Sequence, residues 1–519
     1  MTTDSPSPSP GRVVIMGGGT AGWLAAAYLS RTLKMPNITL VESSEIGIIG
    51  VGEGTFPTIR TTLAGLGISE AEFLVEADAT FKQGVLFNGW ATGSDSYFHP
   101  FNLPVGGEDE ALLPHWIAAA GPARAAWADA VTVQEQVIRA GRAPKRPEDA
   151  DFSGPMNYAY HFDAARFADY LRRISVAAGV SRVEGTVGSV ERHADGDIAA
   201  LLLADGGQVE GDFFLDCSGF HALLIGRTLG SSFQSCADSL FNDRALAMQV
   251  PYATPDAPVR PYTLATAHDA GWTWDIGLSG RRGIGYVYSS RHCSDEEAEA
   301  TLRRYVGSEG NTLIPRQLRF ETGYRDTQWI GNCVAVGLSA GFFEPLESTG
   351  IMLIEAALRM IGDFLVPGDR DARDAAARSF NRLMAARYAR IVHFLKLHYC
   401  VTRRTDSAYW RDNAAPASIP QDLQDMLAQW RHRPPSRFDF LIDVETFLPP
   451  SYHYILYGMG YETLLTAGTD RYPGAAEARD IFTRVRGAQA GACAALPDHR
   501  ALLNQYHARA ATIPAKVYQ

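Results

Sequence analysis

No two cysteines stand in a Cys-x-x-Cys spacing, and only six occur in 519 residues: Cys217, Cys236, Cys293, Cys333, Cys400 and Cys493. Scattered thiols give neither a disulfide framework nor a zinc knuckle, and they fit a reducing, cytoplasmic setting. No apolar run approaches the roughly 20 residues that cross a bilayer, so no membrane span is expected. Excess positive charge is missing too, with 47 Lys and Arg against 58 Asp and Glu, a net charge of -11. Without a basic footprint, neither nucleic acid nor an anionic membrane surface is an expected partner. Met1–Pro10 is Ser, Thr and Pro with no basic or apolar stretch, and reads as a disordered lead-in instead of a signal peptide.

What remains is an ordinary globular composition, 46% hydrophobic and 20% charged, long enough for a sizeable core. Val13, Val14 and Ile15 form a buried strand, glycines follow, then a helix over Trp23 to Leu33 and a second strand, Ile38 to Val41, ending in Glu42. This βαβ opening predicts a parallel sheet with dinucleotide chemistry at its carboxyl edge. Residues 71–155 are irregular and rich in aromatics (Trp90, Tyr97, Phe98, Phe101, Trp116), which suggests an insertion over a pocket. Residues 163–178 form an amphipathic helix, and Val183 to Val209 alternates around Asp195-Gly196 and Asp205-Gly206 as an antiparallel ribbon. Ala245 to Val250, Trp272 to Leu278 and Gly283 to Ser289 predict a second, mixed or antiparallel sheet. From Ile351 onward the pattern is mainly helical. Three parts are expected: the lead-in 1–10, a cofactor module 11–360 with inserted sheet segments, and a helical part 361–519 that completes a pocket.

Gly17, Gly19 and Gly22 make G-x-G-x-x-G between strand and helix, with Thr20 and Ala21 opening the helix and Glu42 on the next strand. The glycines allow close approach of a pyrophosphate to the helix N-terminus, and Glu42 can accept from ribose hydroxyls. A ligand-free glycine turn is the bland alternative. Alone the motif does not separate FAD from NAD. His393, His398 and Cys400 could suggest a metal, but a five-residue spacing splays the histidines around a helix, so no metal is expected.

Further segments resemble one family, the flavin-dependent tryptophan halogenases and their indole-acting relatives. Gly50-Val51-Gly52-Glu53-Gly54-Thr55 is similar to its flavin-lining stretch, and Thr80-Phe81-Lys82-Gln83-Gly84 carries a lysine matching its catalytic lysine. Gly341-Phe342-Phe343-Glu344-Pro345-Leu346-Glu347-Ser348-Thr349-Gly350-Ile351 is similar to its active-site segment, with Glu347 at the catalytic glutamate and Thr349 and Gly350 at the halide-binding turn. Gly331-Asn332 through Gly337-Leu338 resembles the second FAD-binding strand, with Asn332 in place of the common Asp. Trp272-Thr273-Trp274-Asp275-Ile276-Gly277 is close to W-x-W-x-I-P, a motif associated with suppressing monooxygenase chemistry, with Gly277 replacing the proline. Tyr97-Phe98-His99-Pro100-Phe101 matches a segment whose His and Phe flank the substrate ring. Ser451-Tyr452-His453-Tyr454 resembles the region around the substrate's amino-acid end, and transfers no charged clamp.

The resemblance implies an α/β (α+β) fold of the flavoprotein monooxygenase type. It implies FAD, reduced in trans by a separate flavin reductase, and chloride or bromide as co-substrate. FAD contacts are expected from Gly17, Gly19, Thr20, Ala21, Gly22, Glu42, Gly52, Glu53, Gly54, Gly337, Leu338 and Ile351. Halide contacts fall to Thr349 and Gly350, substrate contacts to His99, Phe101, Tyr452 and Tyr454, and catalysis to Lys82 and Glu347. The expected activity is halogenation of an electron-rich, indole-type ring by hypohalous acid, by a chain that can form a homodimer. A flavin-dependent aromatic hydroxylase and a non-catalytic flavin-binding accessory protein are the alternatives. As null roles, Lys82 could be a surface lysine, Glu347 an acid at a helix start, and His99 a satisfied core histidine.

Overall fold

The computed structural model describes residues 11–44, 52–106, 112–119, 121, 124–365 and 369–511. The lead-in 1–10 and the motif residues Gly50 and Val51 lie outside the described residues. The opening βαβ unit is present: Val13–Met16 and Ile38–Glu42 pair in parallel, with the helix Thr20–Ala27 between them. They belong to a six-stranded sheet in the order Trp329–Ile330, Cys333–Ala335, Phe213–Asp216, Val13–Met16, Ile38–Glu42, Ser181–Glu184. All neighbours are parallel except the edge strand Trp329–Ile330. Its central strands are buried on both faces, as parallel sheets require, and therefore read as continuous apolar runs.

Ser181–Glu184 joins this parallel sheet, so the antiparallel ribbon starts at Val187 and consists of Val187–Arg192, Ile198–Leu203 and Gln208–Glu210. The second sheet has seven strands: Arg316–Arg319, Arg244–Pro251, Arg281–Tyr288, Gly271–Gly277, Thr263–His268, Gly84–Asn88 and Ser96–Pro100. Its last two strands come from the stretch that the sequence presents as irregular. Gly84 to Phe87 and Tyr97 to Pro100 are buried on both sides, which erases the period-two alternation of a half-exposed strand.

A third sheet of three short antiparallel strands sets up the site. Ala159–Asp163 lies between Gly52–Gly54 and Thr80–Lys82, with Gly54 opposite His161 and Lys82 opposite Ala159. The long helix Arg370–Cys400 packs on Thr349–Phe364 and carries its last turns into the interior. One hydrophobic cluster runs from Val13 to Tyr506 and ties both halves of the chain together.

Candidate active site

A cavity of about 900 Å³ runs along the carboxyl edge of the parallel sheet and reaches the start of the helix Thr349–Phe364. Gly17, Gly19, Thr20, Ala21, Glu42, Gly52, Glu53, Gly54, Gly337, Leu338, Thr349, Gly350 and Ile351 all line it. Gly22 is buried behind this wall, where a Cβ would strike the Gly17 carbonyl at 1.8 Å. Gly17 has φ +117, and a Cβ there would meet the Cys217 carbonyl at 2.2 Å, so only glycine fits the turn. At Gly19 a Cβ would touch nothing within 4 Å, and would enter the space that a pyrophosphate needs.

These residues fit a flavin dinucleotide: a glycine cradle at a helix N-terminus, an acid on the next strand, and apolar walls from Trp274, Ile276 and Ile354 further along. Glu42 already accepts from Trp23 Nε1 at 3.1 Å and Arg182 Nε at 2.5 Å, which orients the carboxylate within the cavity wall. Burial and the neighbouring Asp163 push the Glu53 carboxyl up to about 7. Asn332 is not a cofactor contact: its amide bonds the Ile198 backbone at 2.8 Å on both sides and stitches the ribbon to the sheet.

Behind the wall lies Lys82, fully buried. Its ammonium donates to Ser348 Oγ at 2.8 Å and to the Thr55 carbonyl at 3.3 Å, and stands 5.2 Å from the centre of the Phe101 ring. Burial pulls its pKa from 10.5 down to about 8, with the charge of Glu347 acting in the opposite direction. A buried amine that is neither fully charged nor fully neutral near physiological pH is suited to reactive chemistry. The surface-lysine reading does not survive this placement.

Glu347 ends the short 3-10 turn Pro345–Glu347, and Ser348 follows in the left-handed region, φ 59 and ψ 40, before the helix begins. The turn brings one carboxylate and one hydroxyl toward Lys82 in the interior. Glu347 Oε1 accepts from His99 Nδ1 at 2.9 Å and from His398 Nε2 at 3.0 Å, whereas the buried Oε2 has no hydrogen-bond partner among the described residues. Burial would raise this carboxyl, but the histidine charges and hydrogen bonds outweigh it and hold it at about 2.

His99 therefore contacts Glu347 directly, and its ring lies 5.9 Å from Tyr454. Phe101 faces Lys82, and Tyr454 donates to the Asn102 carbonyl at 3.1 Å. Tyr452 packs on the far side of Phe394, against Trp430 and Phe440. Sequence reasoning missed three participants. Thr55 acts through its backbone carbonyl, His398 is 51 residues from Glu347, and Phe447 stacks on Phe394 at 3.8 Å and edges onto Phe56. Thr55 and Ser348 lie inside matched motifs, which assign neither of them a role. His393, His398 and Cys400 do not converge, and among the described residues no group of three or more His, Cys, Asp or Glu is placed to hold a metal.

The W-x-W strand divides its labour. Trp274 lines the cavity, whereas Trp272 Nε1 donates to Glu344 Oε2 at 3.0 Å. At Gly277 a Cβ would lie 2.7 Å from Val259 and 2.9 Å from the Tyr252 hydroxyl, which explains why this chain carries glycine there.

Known proteins share this fold. A family model described as tryptophan halogenase matches residues 12–469. The tryptophan 6-halogenase SttH of Streptomyces toxytricini is 36% identical over 500 residues, 92% of this chain and 95% of that protein. The tryptophan 7-halogenase RebH of Lentzea aerocolonigenes is 35% identical over 439 residues, 81% of this chain and 82% of that one. The crystal structure of a tryptophan halogenase from Shewanella frigidimarina superposes with a TM-score of 0.91 at 37% identity, over 96% of this chain and 98% of that one. With the family model spanning most of its length and relatives above 30% identity covering more than two thirds of it, this chain belongs to the tryptophan halogenase family.

Proposed function

We propose that this chain is a flavin-dependent halogenase that places chlorine or bromine on an electron-rich, indole-type ring, with Lys82 and Glu347 as its catalytic pair. The observation that carries the reading is a buried ammonium and a buried carboxylate within electrostatic reach of one another, with Ser348 bonded to the ammonium and lining the large cavity. The residues lining that cavity would hold FAD, which, reduced by a separate reductase, would supply hypohalous acid from dioxygen and halide.

The chain's own residues do the rest. Thr349 and Gly350, at the start of a 16-residue helix, offer free backbone N–H groups where the helix dipole favours an anion such as halide. Hypohalous acid held in the interior beside the buried Lys82 is kept from oxidising Met, Cys and Trp elsewhere. The Lys82 ammonium hydrogen-bonds its oxygen and polarises the oxygen–halogen bond. As the ring carbon takes the halogen, that bond breaks toward oxygen, which leaves as water with a proton from Lys82. The ring proton passes to Glu347 Oε2, its bonding pair restoring aromaticity, and the carboxyl then returns a proton to Lys82. His99, Phe101 and Tyr454, with Phe447 and Phe56 nearby, supply aromatic faces for a flat substrate, and the carbon held nearest Lys82 is the one halogenated.

The test is a panel of indoles incubated with enzyme, FAD, reductase, NADH and either halide, with products read by mass spectrometry. Halide-dependent incorporation is expected, abolished in Lys82→Ala while FAD binding persists. A hydroxylated product formed without halide would point to the aromatic hydroxylase, and full activity in Lys82→Ala would overturn the assignment of the lysine.

A further inference from the structure

His398 sits between two groups that can only accept. Its Nδ1 is 2.9 Å from the Phe394 carbonyl oxygen, one helical turn back, and its Nε2 is 3.0 Å from Glu347 Oε1. A neutral imidazole has a single N–H, so one of these contacts would set lone pair against lone pair. The geometry is satisfied only when the His398–Glu347 couple carries one proton more than a neutral ring and a bare carboxylate.

Where that proton rests follows from the surroundings. Glu347 Oε1 also takes a hydrogen bond from His99 Nδ1, and an oxygen with two donors is better satisfied as a carboxylate than as a hydroxyl. The charges facing the couple agree: the Lys82 ammonium favours an ionised Glu347, and the Glu344 carboxyl, within electrostatic reach of His398, favours a charged ring. The Tyr97 hydroxyl, buried and near Glu347, has no hydrogen-bond partner among the described residues. The rings of Phe87, Phe394 and Trp90 pack against His398 at centroid distances of 5.2, 5.1 and 6.2 Å, the first two within the roughly 6 Å at which an aromatic ring attracts a cation.

We propose that His398 is a positioning residue that remains doubly protonated and locks Glu347 as a carboxylate, leaving Oε2 as its one oxygen free to take the ring proton. The inference rests on Glu347 being the catalytic carboxylate. It adds a fixed orientation: with Oε1 held by two ring N–H groups, the carboxylate cannot turn, and Oε2 stays buried without a hydrogen-bond partner among the described residues. Low basicity of this carboxylate is no handicap, because the cationic ring it deprotonates is a far stronger acid. Constant ionisation is what the site gains.

The direct test needs no turnover. In the cofactor-free protein with isotope-labelled histidine nitrogens, NMR should show one ring with both nitrogens protonated, unchanged from about pH 6 to about pH 9, where an ordinary histidine has lost its proton. That signal should vanish in His398→Asn. In Glu347→Gln, which leaves His398 in place and covers the case in which His398→Asn fails to fold, the second proton should be lost in the ordinary histidine range. If no ring stays doubly protonated above about pH 8, or if Glu347→Gln leaves the signal intact, the proposal is overturned. Turnover gives the second readout. Wild-type kcat should be flat on the acid side to about pH 5, whereas His398→Asn should lose about 10-fold or more in kcat at little change in KM and acquire an acid limb near the ordinary carboxyl range. An unshifted profile would remove the positioning role. Full halogenation by Glu347→Gln would instead defeat the catalytic reading of Glu347, whatever the NMR result.

Discussion

Replacing Lys82 by Met should make the protein inactive and, at neutral pH, more stable. The Lys82 side chain is fully buried, and burial lowers its pKa from 10.5 to about 8. At about 1.4 kcal/mol per pKa unit, keeping the ammonium charged inside the fold costs about 3 kcal/mol. Methionine fills nearly the same volume without the charge, but it leaves the Thr55 carbonyl and the Ser348 hydroxyl short of a donor, a loss of about 1 kcal/mol each. The net gain is about 1 kcal/mol at pH 7. Unfolding entropies of about 2 cal/mol/K per residue make that a rise of about 1 °C in Tm for a chain of this length.

The pH dependence is the sharper readout. Below about pH 8 the folded and unfolded chains both carry the proton and the whole cost is present. Between about 8 and 10.5 the unfolded chain binds the extra proton, so wild-type stability rises with pH through this window, and above it the cost is gone. Calorimetry of the flavin-free proteins at several pH values should therefore show Lys82→Met ahead at pH 7, with its advantage shrinking and then reversing by about pH 10. A constant difference across the range, or a variant that is less stable at pH 7 and gains with pH, would refute the claim that Lys82 is an ammonium held at a cost.

The remaining predictions follow from single contacts. Glu347→Gln removes the carboxylate that faces Lys82 and both histidines, so halogenation should fall by about 100-fold or more at unchanged FAD affinity, measured by single-turnover product formation. Gly19→Val would project into the empty space of the glycine cradle, and should abolish FAD binding in a fluorescence titration while circular dichroism stays native. Trp272→Phe deletes one of three donors to the buried Glu344, the others being Asn242 and Tyr399, and should cost about 1–3 kcal/mol of stability in calorimetry. Gly277→Pro, which restores the proline of the related motif, should destabilise by about 1–3 kcal/mol, because the added atoms meet Val259 and Tyr252.

The parts of this protein that could be read in its sequence are those whose signal is local. The βαβ opening announces itself by an apolar run, a glycine turn and a terminal acid, all within residues 13–42. Lys82 and Glu347 were recognised by their flanking motifs, since nothing in a lone lysine or glutamate says that it is buried. The strands Gly84–Asn88 and Ser96–Pro100 escaped because burial on both faces leaves no periodicity. Thr55 holds Lys82 through a carbonyl that every residue possesses, so its identity carries no message. His398 looked like one member of a poor metal trio, and its true partner is set by how the long helix crosses the 3-10 turn, a tertiary fact. Trp272 and Trp274 share a motif yet serve different neighbours, Glu344 and the cavity, because a strand and its cross-strand partners fix where each ring goes.

Ser348 belongs to both rooms of the site: it lines the large cavity and takes a hydrogen bond from the lysine behind it. With halogenation proceeding as proposed, the place where the oxidant forms and the place where it is used are tied to the turn that carries Glu347, and neither shifts without the other. A new aromatic substrate would then be accommodated by changes at Phe56, Phe447 and Tyr454, which leave that turn untouched.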